Sequence, residues 1–224
     1  MKGKAMKIDL HVHTSEISLC GHVSAADTVK LYKEAGYGAI VVTNHFSADG
    51  IYHFAHQGRN DYFDAYYEGY ELARKAGQEC GLTVLNGYEL RFRRNCNDYL
   101  VYGMPDEIAR DYDRIFDMGP REFSKLAQDN SFLFYQAHPF RNGMTVVDPH
   151  HLFGIEVNNG NPRHDSRNPI AKAWAERFSL RTISGSDFHQ VEDLARGGIE
   201  TDENVQTMDD LVRVLTSGNY TLIE

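Results

Sequence analysis

Lys7-Ile8-Asp9-Leu10-His11-Val12-His13 is the stretch on which the fold turns. Apolar and polar residues alternate along it, the period of a strand rather than a helix. His11 and His13 stand two apart, so both imidazoles leave the same face. Two imidazoles converging on one point are a natural pair of metal ligands, although H-x-H alone does not identify a metal site.

Outward from this strand, helical and strand patterns take turns. A capping-box-like start at Ser24 opens a helix that runs to Ala35 and stops at Gly36. The wholly apolar run 39–43 reads as a buried strand. A helix over 61–80 ends at Gly81, and strands follow over 83–89 and 99–102. Then come a helix over 120–129, strands over 132–138 and 154–158, a helix over 169–178 and a strand over 181–184. A last helix over 208–217 stops at Gly218 before a strand at 220–223. Such alternation predicts an α/β fold with a mainly parallel sheet. Seven or eight such strands favour a closed or distorted barrel over an open sheet. No long linker, repeat or low-complexity tract interrupts the pattern, so one domain is expected over 1–224.

Composition agrees: 224 residues with 42% hydrophobic and 25% charged content suit one globular domain with a sizeable core. No run approaches the roughly 20 apolar residues of a membrane helix, and residues 1–7 lack the apolar core of a signal peptide. Three cysteines are an odd, sparse set that argues against a disulfide framework. A cytoplasmic address and no membrane partner are therefore expected. A net charge of −9 disfavours duplex nucleic acid held on a broad basic face. The chain carries 11 histidines, the commonest metal-ligand residue.

Their placement is informative. His11 and His13, His45, Glu89, His138, and Asp187 with His189 each fall at or just past the carboxyl end of an expected strand. In α/β folds ligands and catalytic groups gather at that edge. Singly, each has another reading: His45 as a satisfied core histidine, His138 as a turn residue before Pro139, Glu89 as a partner of Arg91 or Arg93, Asp187 and His189 as a solvated loop. Together these readings require several unrelated buried polar groups, whereas one metal cluster accounts for all of them.

The pieces Asp9-Leu10-His11-Val12-His13-Thr14, Thr43-Asn44-His45, Glu89, Ala137-His138-Pro139 and Ser184-Gly185-Ser186-Asp187-Phe188-His189 resemble, in order, the polymerase and histidinol phosphatase (PHP) superfamily. In style they are similar to its histidinol phosphatase branch. The resemblance implies a distorted seven-stranded β/α (TIM-like) barrel carrying two or three divalent ions. It also implies that His11, His13, Glu89 and Asp187 hold one ion and that Glu89 bridges to a second, shared with His138. A third would take His45, His189 and a residue from the loop after the first strand. Cys20-Gly21-His22 looks like the family's C-x-H, which nominates His22, with Cys20 as a competing ligand. Two departures stand out. Asn44 replaces the aspartate of the usual Thr-Asp-His. Asp98 stands near where many members have a histidine, and it is either an oxygen ligand or a turn aspartate.

Mixed imidazole and carboxylate ligands suit Zn, Mn or Fe. Adjacent ions about 4 Å apart acidify a bridging water and clamp phosphoryl oxygens, which favours phosphate-ester hydrolysis by a bridging hydroxide. Glu89 and Asp187 would be central to that chemistry, and Arg141 could fork onto phosphate oxygens. The expected substrate is a small phosphorylated metabolite, akin to histidinol phosphate or a nucleotide. Alternatives are a nuclease or nucleotide 3′-phosphatase acting on single-stranded ends, a metal-dependent amidohydrolase, and a non-catalytic metal-binding accessory domain. No lysine stands at a strand end to serve as the bridging carbamate that amidohydrolases often use, and few ligand positions are lost, as an accessory domain would allow.

Overall fold

The computed structural model describes residues 5–59 and 61–224. Met1 to Lys4, on which part of the reading of the amino terminus rests, and Asn60 lie outside the described residues. In order, the elements are β1 (Met6–Val12), α1 (Ala25–Glu34), β2 (Ala39–Val42), β3 (His45–Phe46), α2 (Ala48–His56), α3 (Tyr62–Cys80), β4 (Thr83–Leu90) and β5 (Tyr99–Tyr102). They continue with α4 (Asp106–Ala109), α5 (Tyr112–Asp117), α6 (Pro120–Asp129), β6 (Leu133–Gln136), β7 (Gly154–Asn159), α7 (Asn168–Phe178), β8 (Arg181–Gly185), β9 (Gly198–Thr201), α8 (Met208–Ser217) and β10 (Thr221–Ile223).

Local chemistry sets many of these boundaries. Ser24, Asp61 and Thr207 cap α1, α3 and α8 by accepting from the backbone N–H three residues on. Gly81 and Gly218 close α3 and α8 in the left-handed conformation, as their lack of a Cβ allows. The segment after His45, to which the sequence reading assigns no element, forms α2. Phe46 and Phe54 pack into an aromatic cluster with Tyr62, Tyr66 and Phe116, and their burial stabilises the helix.

The strands pair in the order β10-β9-β1-β2-β4-β5-β6-β7-β8, with β3 added beside β4. Seven of them, β1, β2 and β4 to β8, are the staves of a nearly closed, distorted barrel, in agreement with the sequence reading. One direction differs from a purely parallel design: β5 is antiparallel to both neighbours. Only residues 91–98 join β4 to β5, too few for the crossover of a dozen or more residues that a parallel pair needs. β9 and β10 form an antiparallel flap against β1. The seam between β1 and β8 has one isolated parallel bridge, Val12 to Phe188, and no regular ladder. Among the described residues no helix is long and apolar enough to cross a membrane.

Candidate metal centre

At the carboxyl rim of the parallel strands, β1 delivers His11 and, one residue on, His13; β3 delivers His45 and β4 delivers Glu89. The turns after β6 and β8 deliver His138, Asp187 and His189. Because β5 runs the opposite way, it is the residue before it, Asp98, that reaches this rim. The side chains form three overlapping groups whose ligand atoms lie within 4.8 Å of one another: His11, His13, Glu89 and Asp187; Glu89, Asp98 and His138; and His13, His45 and His189. His138 and Asp187 have φ of 28° and 53°, a left-handed backbone that costs non-glycine residues on the order of 1–3 kcal/mol. Hydrogen bonds hold them there: the His138 N–H donates to Glu156 Oε2 (2.9 Å) and the Asn161 amide donates to the Asp187 carbonyl (3.1 Å).

Neighbouring groups decide which ring nitrogen each histidine presents. His11 Nδ1–H donates to Glu156 Oε1 at 2.9 Å. His189 Nδ1–H donates to the Asp187 carbonyl at 2.8 Å. For His13 the argument runs through two residues. Asn44 Oδ1 accepts from Thr14 N–H and from the Ser18 hydroxyl, each at 2.8 Å. The single Ser18 proton is thereby committed, so Ser18 Oγ accepts from His13 Nδ1–H at 2.9 Å and from His45 N–H at 3.1 Å. Each of these rings is left with Nε2 as its free ligand atom. Asn44 thus does through its amide oxygen what an aspartate would do at the same place. Ser18→Ala should free the His13 tautomer and weaken metal binding about 10- to 100-fold, as lost outer hydrogen bonds typically do. Competition titration with a chelating dye would check this, and an unchanged affinity would refute the role of Ser18.

Glu89 sits at the centre, 1% exposed. Its Oε1 lies 3.2 Å from His11 Nε2 and 3.1 Å from His138 Nε2, and its Oε2 lies 2.7 Å from His45 Nδ1 and 3.4 Å from His13 Nε2. Burial pushes the Glu89 carboxyl up, but His45 and His11 beside it outweigh this and hold it well below the usual carboxylate range. Asp187 is likewise held down against burial, chiefly by His11, with help from His13 and Arg141. For His11, burial is outweighed by Glu156, Asp187 and Glu89, which keep the ring protonated well above its ordinary range. Burial and the nearby His189 push His13 the other way, well below its ordinary value.

A divalent cation fits these residues. The buried Nε2 atom of His13, whose ring is pushed toward its neutral form, has no hydrogen-bond partner and faces Glu89 Oε2 at 3.4 Å and Asp187 Oδ1 at 3.6 Å. A neutral imidazole lone pair aimed at a carboxylate is repulsive unless a positive charge lies between them.

The cavity over these groups measures about 330 Å³, and Arg91, Arg141, Arg163, His164, Met144 and Asn161 form part of its wall. Arg141 donates to Asp187 Oδ2 at 2.6 Å and to Asn159 Oδ1 at 2.9 Å, while its Nε has no partner. Arg91 forks onto Asp98, at 2.6 and 2.8 Å. Of Arg91 and Arg93, the alternative partners of Glu89, only Arg91 reaches the cavity, since Arg93 pairs with Asp113 and Asp117 elsewhere. Cys20 and His22 both line the cavity and neither joins any of the three groups, but Cys20 Sγ lies 3.1 Å from His45 Nε2. Burial acts to raise the Cys20 thiol, yet its bonds with His189 and His45 bring it down to about 6. Sequence reading missed the roles of Ser18, Arg163 and Asn161 and the grip of Glu156 on His11. Glu156 alone left a signal, as a carboxylate on the same strand face as Asn158. A larger cavity of about 970 Å³ opens at the opposite end of the barrel, beside Tyr37, Tyr70 and Asn86, and none of the three groups lies there.

Residues 165–220 match the PHP-associated family model. A two-domain protein from Bacteroides vulgatus containing a predicted PHP-like metal-dependent phosphoesterase has a TM-score of 0.66 and 19% identity, over 97% of this chain and 64% of that chain. PsfC from Pseudomonas syringae has a TM-score of 0.67 and 20% identity, over 94% and 88%. Endonuclease Q, in complex with a 27-mer duplex carrying an abasic lesion at the active site, has a TM-score of 0.62 and 13% identity, over 95% and 57%. This chain therefore spans just under two thirds of the Bacteroides protein and a little over half of endonuclease Q. No curated protein matches it in sequence. The fold is that of PHP-like metal-dependent phosphoesterases. One expectation is corrected: endonuclease Q shows this fold holding duplex DNA, so a net charge of −9 does not exclude a duplex partner. Net charge sums the whole surface, whereas binding depends on the field around the site, and here three arginines line the cavity.

Proposed function

We propose that this chain is a metal-dependent phosphoesterase that hydrolyses a phosphomonoester of a small metabolite. The observation that carries the reading is the convergence of partnerless imidazole nitrogens on Glu89 and Asp187 beneath a cavity of about 330 Å³. His11, His13, Glu89 and Asp187 would hold one ion, and Glu89, Asp98 and His138 a second. His45 and His189 would hold a third, together with a residue of the loop after β1. Divalent ions in such a site lower the pKa of water and neutralise phosphoryl oxygens.

The protein's own groups do the rest. Arg141, anchored on Asp187 and Asn159, lines the cavity and would turn its guanidinium to a phosphate oxygen. Glu156 holds the His11 ring and the His138 backbone in place. The cavity admits a small phosphate ester and a limited leaving group. The fold shared with endonuclease Q supports a second reading, a phosphoesterase acting on nucleic acid, including duplex.

Purified protein should carry at least two divalent ions per chain, and exhaustive chelation should abolish phosphomonoester hydrolysis. Because His11 holds a proton where an ion would bind, metal loading should release protons and weaken on acidification. Elemental analysis, calorimetry in buffers of different ionisation enthalpy, and a panel of phosphorylated metabolites beside an abasic-site duplex would test these points. One ion or none after reconstitution, or activity indifferent to chelation, would refute the metal-dependent reading. Turnover of the duplex alone would favour the second.

A further inference from the structure

We propose that the outermost position is a sulfur-containing metal site in which Cys20, and not His22, is the loop residue that joins His45 and His189, so that this position takes a thiophilic ion such as zinc. The inference rests on the metal-binding part of the proposed function and not on the reaction catalysed.

The path of the loop after β1 is the first argument. Ser18 N–H donates to the Thr14 carbonyl (3.0 Å), Gly21 N–H to the Ser18 carbonyl (2.8 Å) and Ser15 N–H to the Val23 carbonyl (2.9 Å). This folds the loop back on itself. A Cβ at Gly21 would stand 2.9 Å from the Thr14 carbonyl carbon and oxygen, so the tight return requires glycine there. The result places Cys20 Sγ 3.1 Å from His45 Nε2. His22 is tied to the rim through its backbone, its N–H donating to the His189 carbonyl (2.8 Å).

The second argument is independent of the cysteine. The fully buried His13, whose partnerless Nε2 faces the first ion's carboxylates, has its ring 4.7 Å from that of His45 and 4.1 Å from that of His189, which gathers these two imidazoles at the outer edge of the cluster. His189 also has its Nε2 free, since Nδ1–H is bound to the Asp187 carbonyl. Two imidazoles and a thiolate, with a fourth position left for water, are a donor set that zinc accepts readily. The group containing Asp98 has two carboxylates and one imidazole, a harder set. Soft sulfur selects zinc or iron, whereas oxygen-rich sets suit manganese or magnesium, so the two ends of this cluster would differ in preference.

Two measurements on the full chain test this. Cobalt-loaded wild type should show a thiolate-to-cobalt charge-transfer band in the near ultraviolet. Cys20→Ser should lose the band and about one ion per chain, and His22→Ala should keep both. All three cysteines are exposed, so alkylation followed by mass spectrometry gives an internal control in unmutated protein. Zinc should protect Cys20 and leave Cys80 and Cys96 reactive. A wild type without the band, a Cys20→Ser protein that retains it, loss of the ion in His22→Ala instead, or Cys20 alkylated equally with and without zinc would each overturn the assignment. Phosphatase activity could persist in every one of those cases, so the failure of this inference is distinct from that of the proposed function.

Discussion

Glu89→Gln should strip about one ion per chain and lower kcat at least about a hundredfold. The amide keeps the length and nearly the shape of the side chain, so the change tests charge. Each Glu89 oxygen faces two imidazoles, His11 and His138 on one side and His45 and His13 on the other, at 2.7–3.4 Å. No other side chain belongs to both carboxylate-containing groups. Without its charge, cations bound on both sides share no anion, and an amide nitrogen would point at one set of ligands. Loss of well-placed electrostatic stabilisation typically costs ~3 kcal/mol or more of transition-state energy. If Glu89 served only as an ion-pair partner in the metal-free chain, turnover and metal content would survive the change. Wild-type values for both in Glu89→Gln would refute the placement of the site's centre.

Asp9→Ala should destabilise the protein by about 3 kcal/mol or more, although Asp9 is not one of the candidate ligands. The barrel lacks a ladder between β1 and β8, and the Asp9 carboxylate ties that seam. Its Oδ1 accepts from the His11 and Ser186 N–H groups, each at 3.1 Å, and its Oδ2 accepts from the Tyr32 hydroxyl at 2.8 Å. All four residues are fully buried. Burial pushes the Asp9 carboxyl up to about 6 even against those hydrogen bonds, which shows how dry the position is. Alanine would leave two amides with no acceptor there, at about 1–3 kcal/mol each, plus a small void. Tyr32 would keep Ser186 Oγ at 2.8 Å as a partner. Asp9→Asn keeps an oxygen for the two amides and should cost much less. Because the tie holds His11 and the residue before Asp187, metal affinity should fall with stability in Asp9→Ala. Denaturant midpoints for the two variants would check the order, and an alanine variant within about 1 kcal/mol of wild type would refute it.

Local physics explains why so much could be read in advance. Period-two alternation around His11, the caps at Ser24 and Asp61 and the stops at Gly81 and Gly218 depend on neighbours a few residues away, and these elements stand where the sequence places them. The choice of a barrel, and the gathering of His11, His13, His45, Glu89, His138, Asp187 and His189 at one rim, follow from strand ends that such patterns locate. The antiparallel direction of β5 was within reach too, since residues 91–98 are too few for a crossover, but the pattern of alternating elements masked it. The tertiary structure alone decided the rest. Glu156 grips His11 across 145 residues of sequence, and Ser18 takes its hydrogen bond from His13 only because Asn44, 26 residues on, claims the hydroxyl proton. Whether Cys20 or His22 faces the histidines depends on how one short loop turns back against Thr14. Periodicity and capping are written in adjacent residues, whereas the partner of a buried polar group is chosen by packing between distant segments, and no local pattern records that choice.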